Sequence, residues 1–313
     1  MPLRSDILAP IPGESPGGEN LRYAPIYDKI KEARREDDDA AQGDWQRERK
    51  VADWPLTIKL SSEALATKSK DLQLAAWLTE ALLRTQGVAG LREGLELIRG
   101  MLEQFWDSLW PELEDGDAEF RATPLQWVGD RLEQAIRRVP LTRNRLDWFK
   151  YKESRAVGYE DGNAGTEKAE ARQQAIADGK ITGEEFDAGF NATPKAFYVE
   201  LEQTFDATLE TLESLGRICD EKFGDVSPNF GNLRKFLEEV RQTVHILLVR
   251  KREKEPDELA AGEEASWSAA AEAQPEAAAE EEVRMAEASR VRASAAAAAA
   301  RSEERRVGKE CRY

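Results

Sequence analysis

Histidine occurs once and cysteine twice in 313 residues, and that scarcity removes whole classes of chemistry. A single histidine, His245, cannot build a histidine-based metal site, and its setting in "TVHILLV" reads as a helix position. Cys219 and Cys311 are too few for a disulfide scaffold and fit a reducing compartment; Cys219 falls on an apolar stripe and reads as a small core side chain. No apolar run approaches the roughly 20 residues that span a bilayer, and "MPLRSDILAPIPGESPGG" lacks the continuous apolar core of a signal peptide, so the chain is expected in the cytoplasm. Alternating apolar and polar stretches rich in β-branched residues are missing too, which leaves strands without support. No glycine loop for phosphate exists, since "GKIT" at Gly179 lacks the upstream glycines and has no Ser or Thr directly after its lysine. No cofactor is expected. A net charge of -16 would repel a phosphate backbone or an anionic lipid surface, so neither nucleic acid nor membrane insertion is expected.

Helical periodicity is what remains. Pro10, Pro12, Gly13, Pro16, Gly17 and Gly18 punctuate residues 1–19, which read as an extended arm. From Pro25, the positions Ile26, Tyr27, Ile30 and Ala33 predict a short amphipathic helix with a charged end. "SKDLQLAAWLTEALLRTQG" predicts a core helix that stops at Gly87, followed by a helix with the seam Leu91, Leu95, Ile98, Leu102, Phe105 and Leu109, ended by Pro111. Thr123, Pro124 and Gln126 resemble a capping-box start for a helix presenting Val128, Leu132, Ala135 and Val139. Residues 141–191 are polar and glycine-punctuated, predicting short helices on loops. Thr193-Pro194 then opens a long helix carrying Leu201, Phe205, Leu209, Leu212, Leu215 and Cys219, and Ser227-Pro228 opens its partner with Leu233, Leu237, Val240, Val244 and Leu247. The fold class is therefore all-α, a multi-helix domain over residues 20–252 with a C-terminal antiparallel helical hairpin. Residues 253–300 are Ala/Glu-rich, a composition unable to bury enough surface to offset chain entropy, and are expected to form a disordered linker. "RSEERRVGKECRY", residues 301–313, turns abruptly basic and reads as a non-native tail.

Two acidic clusters test the remaining chemistry. A calcium loop starting at Asp37 would place Ala41 and Gln42 where an oxygen ligand and a turn glycine are needed, so Glu36 to Asp39 reads as a solvated helix end. Glu112, Glu114, Asp115, Asp117 and Glu119 share a polar loop with only Leu113 to desolvate any of them, which gives no split of acid and base. The basic, aromatic run "RNRLDWFKYK" is expected to cap a helix or meet an acidic partner. Of eight tryptophans, Trp77, Trp106 and Trp127 read as core, while Trp106 and Trp110, four apart, are expected to share a face; Trp45 and Trp54 flank a charged segment.

The segments "GENLRYAPIYDKIKEARREDDD", "GDW", "ADW", "SKDLQLAAWLTEALLRTQGVAGLREGLELI", "FWDSLWPELEDGDAEFRATPLQWV" and "SPNFGNLRKFLEEV" resemble, in order and spacing, the N-terminal domain of the ImpA/TssA family of type VI secretion proteins, over roughly residues 10–250. The resemblance implies a non-enzymatic scaffold that helps baseplate and tail tube/sheath assembly, with baseplate, sheath/tube and membrane-complex proteins as partners. It also implies self-association through a C-terminal domain, of which no second periodic segment is seen after the linker. A related accessory protein acting elsewhere on the sheath, and a metal-dependent hydrolase using the acidic clusters, stand behind that reading. With no catalytic, metal-binding or cofactor-binding set in the sequence, the candidate protein-binding residues are Tyr23, Tyr27, Arg34, Arg35 and Trp110, since aromatic and arginine side chains dominate interfaces.

Overall fold

Apolar spacing of three and four residues underlies the main helices of the described residues. The computed structural model describes residues 3–36, 50–161 and 165–256, and among them it has eleven α-helices and no strand. Asp37, Asp38, Asp39, Trp45, the Ala/Glu-rich stretch from residue 257, the basic tail and Cys311 lie outside the described residues. The chain divides into two units, Met1–Lys251 and Arg252–Tyr313; of the second, residues 252–256 alone are described.

The centre is α3 (Leu72–Gln86). Asp71 starts it by accepting from the Gln73 and Leu74 amides, and Gly87 closes it at φ 68, a conformation that side-chain-bearing residues resist. Residues 74–83 are all buried. Such a helix needs partners on every side, and α3 packs against α2 (Trp54–Thr67), α4 (Val88–Phe105) and α5 (Glu119–Arg131). The expected seam of α4 is buried throughout, Leu109 included, although the helix itself ends at Phe105. α4 and α3 approach closely: a β-carbon on Gly90 would lie 2.4 Å from the Leu82 carbonyl oxygen, and one on Gly94 2.5 Å from Thr79 Oγ1. On α4 also packs α10 (Lys195–Phe223), the long helix whose Phe205, Leu212, Leu215 and Cys219 are buried; burial pushes the Cys219 thiol up to about 12.

α11 (Gly231–Lys254) completes the hairpin. Its Arg234, Arg241 and His245 meet Glu213, Asp206 and Glu202 of α10, numbers rising on one helix as they fall on the other, and its Leu233, Leu237, Val240, Val244 and Leu247 are fully buried. α1 (Pro25–Arg34) lies on α2, and α6 (Glu133–Arg137) continues from α5. α7 (Trp148–Val157) packs on α9 (Gly183–Ala192), where Asp187 receives Arg155 and Arg250 at 2.6 and 3.0 Å; burial alone would raise its pKa, but these hydrogen bonds hold it down at about 2. Between them, α8 (Thr166–Ala177) has no buried residue over 167–177 and is tied back by the Arg172–Glu184 pair at 3.0 Å.

Four local expectations are corrected. Of the expected extended arm, residues 1–19, the described residues 3–19 turn repeatedly and bury Ile7 and Ile11; they are held because Gly17 O accepts from Lys70 N at 2.7 Å and Lys68 O from Glu19 N at 3.0 Å. Gly18 takes φ 72 there, and a side chain on Gly17 would strike the Ser108 carbonyl. α5 starts a turn before Thr123-Pro124, because Asp117 Oδ1 accepts from Glu119 N at 2.9 Å; Pro124 lies inside the helix and forfeits one amide bond. Thr193 does not cap α10: its hydroxyl donates to Gly189 O at 2.8 Å and accepts from Arg143 N at 3.0 Å, closing α9 instead. α11 begins at Gly231 with Asn229 Oδ1 accepting its amide at 2.7 Å, beyond the expected Ser227-Pro228 start.

Candidate docking face

A catalytic reading needs a desolvated carboxylate, and the loop acids Glu112, Glu114, Asp115, Asp117 and Glu119 are all exposed. Among the described residues no group of three or more His, Cys, Asp or Glu is placed to hold a metal ion. His245, partly exposed, pairs with Glu202 at 2.6 Å.

The unusual charges are buried cations without acidic partners. Lys70, fully buried, donates to Ile7 O and Leu65 O, both at 2.7 Å, and burial lowers its pKa to about 8. Arg121, 1% exposed, gathers three carbonyl oxygens, those of Trp106, Leu109 and Pro111, and burial brings it down to about 10. No sequence pattern marked either residue. Arg121 explains why Trp106 and Trp110 do not share a helical face as expected. The chain leaves α4 at Phe105 and turns its carbonyls toward the guanidinium, so Trp106 packs edge-on to Phe223 at 4.9 Å while Trp110 swings over to residues 70–72.

Three backbone segments therefore meet at one place. Trp110 N donates to Lys70 O at 3.0 Å, Leu72 N to Trp110 O at 2.9 Å, and the Trp110 indole N–H to Gly18 O at 3.3 Å. On this junction lies a groove of about 300 Å³ bordered by Arg22, Tyr27, Asp71, Trp110, Pro111 and Phe120. Asp71, the cap of α3, is pushed up to about 6 by burial, although the two amides it accepts oppose the shift. Phe120, 53% exposed, and Tyr23, 88% exposed with the Arg22 guanidinium 5.9 Å over its ring, are large apolar surfaces facing water.

The five sequence candidates separate on this geometry. Tyr27 and Trp110 both line the groove, and Tyr23 is exposed; Arg35, just past the end of α1, is exposed and pairs loosely with Glu32 at 3.5 Å. Tyr27 is 8% exposed, its ring 4.7 Å from that of Trp77, and burial raises its phenol pKa. Arg34 is partly buried: it sits 4.9 Å from Trp77 and 5.2 Å from Trp127 and bonds Glu80 Oε2 at 3.0 and 2.5 Å. Tyr27 and Arg34 thus offer little free surface, because Trp77 packs on Tyr27 and Trp77 and Trp127 flank Arg34. Phe120 was missed; its one signal was an aromatic set among the acids of "DGDAEFRAT".

Comparison with known proteins bears on this face. The family described as ImpA, N-terminal, type VI secretion system, matches residues 8–130, which includes every residue of the groove. Type VI secretion system component TssA1 of Pseudomonas aeruginosa is 32% identical over 143 residues, 44% of this chain and 41% of that protein. The chain thus spans less than half the length of that relative. A solved N-terminal domain including the conserved ImpA_N region of the TssA component from Burkholderia cenocepacia is 31% identical with a TM-score of 0.69, covering 80% of this chain and 96% of that one.

Proposed function

Since this chain belongs to the ImpA/TssA family of type VI secretion proteins through its N-terminal domain, we propose that it serves as a non-enzymatic scaffold whose helical domain docks baseplate and sheath/tube proteins during assembly. The observation that carries this reading is the match across 96% of a solved TssA N-terminal domain. Support comes also from Phe120, exposed at the Trp110 groove, and from Tyr23, exposed next to the groove residue Arg22, apolar surface of the kind that anchors protein interfaces. Among the described residues no helix is long and apolar enough to cross a membrane, which fits a cytoplasmic place beside the machine. Residues 20–252 form the docking module in this reading, and self-association belongs to a C-terminal domain of the intact protein.

The test substitutes Tyr23→Ala and Phe120→Ala, singly and together, in the intact protein. One exposed anchor contributes about 2 kcal/mol to a partner's binding, so the double variant should lose sheath and baseplate proteins in co-purification and slow secretion while its thermal melt is unchanged. Full secretion by the folded double variant removes these residues from the docking face. Full secretion after deletion of the whole domain removes the scaffold role itself.

A further inference from the structure

A second groove, of about 600 Å³, opens between the α3–α4 turn, the α6–α7 loop and the start of α10, away from the Trp110 junction. Arg84, Arg138 and Arg145 line it together with Trp54, Val88 and Phe197. None of the three arginines makes an ion pair among the described residues, in a chain holding 61 acidic residues and a net charge of -16. Two of the guanidiniums lie over rings instead, Arg84 at 5.3 Å from Trp54 and Arg138 at 6.0 Å from Phe149. That arrangement keeps the donor edges of a planar guanidinium open to a carboxylate. Arg145 is held at φ 64, a left-handed conformation that asparagine or glycine adopts more readily, yet arginine stands there.

Two carboxylates also border the groove. Asp147 also caps α7, its Oδ1 accepting from Lys150 N at 2.9 Å, and with Glu200 it sets two carboxylates against three arginines. The excess is positive and local. Exposed charges act over a screening length of about 8 Å at physiological salt, so a short acidic segment placed in the groove meets the arginines, whereas a long phosphate backbone would run out over the acidic surface. The run "RNRLDWFKYK", which places Arg145 here, finds a use on this reading.

We propose that this groove docks an acidic linear segment of a partner protein, with carboxylates on Arg84, Arg138 and Arg145 and one leucine-sized side chain between Trp54, Val88 and Phe197. The site is separate from the Trp110 face, and its test does not depend on secretion. Fluorescence anisotropy is measured on the full chain with a labelled peptide alternating glutamate and leucine, beside one alternating glutamine and leucine and a single-stranded oligonucleotide. The glutamate peptide should bind, more weakly as salt rises. It should lose at least about tenfold in affinity when Arg84→Gln, Arg138→Gln and Arg145→Asn are combined, the loss expected when fully engaged arginine contacts are removed. Arg145→Asn alone should weaken binding without lowering the thermal melt, because asparagine suits that backbone, and this separates lost contact from lost fold. Equal binding of the glutamine peptide, equal binding by the folded triple variant, tighter binding of the oligonucleotide, or a concentration-dependent dimer that the triple variant abolishes would each overturn the proposal.

Discussion

Burial decides what a charge is worth at the level of single residues. Asp71 caps α3 from inside the protein, and its pKa of about 6 lies above the ordinary carboxylate value of 3.8. Between those values the folded chain holds a proton that the unfolded chain has released, so this group's contribution to stability falls as pH rises through that window and stays low above it. Asparagine caps a helix as well as aspartate without carrying charge. Asp71→Asn should therefore be the more stable protein by about 1–3 kcal/mol at pH 7, with its advantage shrinking toward pH 4 in urea titrations. Lys70 shows the opposite case of a buried charge that cannot be removed cleanly. Lys70→Met leaves the Ile7 and Leu65 carbonyls without their donor and should destabilise by about 1–3 kcal/mol per unpaired group, read as a lower denaturation midpoint. Neither residue was recognisable from the chain. "SKDL" is an ordinary surface tetrapeptide until the N-terminal segment folds across it, and burial of this kind comes from contacts distant in sequence.

Helices differ in how openly their sequences declare them. α3, α4, α10 and α11 carry unbroken apolar stripes and were readable. α2 was not, because its buried face is Thr57, Ser61 and Ala64 beside Leu65, side chains too small and polar to register as an apolar period. Its one sequence mark was the cap, Asp53 accepting from Leu56 N at 2.9 Å with proline at the first turn. α9 likewise hid behind its glycines, although Thr182 and Glu185 form a full capping box and Phe186 and Phe190 are fully buried. The central stack sets clear expectations. Leu78→Ala should remove about 2–5 kcal/mol by leaving a cavity in α3, measured against Arg35→Ala, whose exposed pair should contribute less than about 1 kcal/mol. Gly90→Ala should cost about 1–3 kcal/mol through overpacking of α4 on α3. Gly216→Ala, in open space on α10, should instead add up to about 1 kcal/mol through helix propensity. If both glycine variants shift the melt in the same direction, close approach is not what selects glycine at position 90.

Residues 3–19 and the Trp106–Pro111 turn lock onto residues 68–72, and neither was readable as structural. Proline and glycine punctuation is the same in a loose arm and in a pinned one, and contacts distant in sequence, such as the carbonyl partners of Lys70 and the indole bond to Gly18, tell them apart. Deleting residues 1–19 should accordingly lower stability by at least about 3 kcal/mol, since Ile7 and Ile11 each contribute about 1.5–3 kcal/mol of burial; guanidinium unfolding of the full and shortened chains measures it. Of the sequence candidates, Tyr27 and Trp110 line the groove, whereas Arg34 is held by Trp77 and Trp127, contacts that no local spacing reveals. At the other extreme stands α8, whose residues 167–177 touch water on every turn and which leans on the rest through Arg172 and Glu184. A helix with no share in the core gives genetic engineering a port: a small fluorophore-binding tag spliced after Ala177 would report where each copy sits inside a living cell, with the hydrophobic interior left as it is.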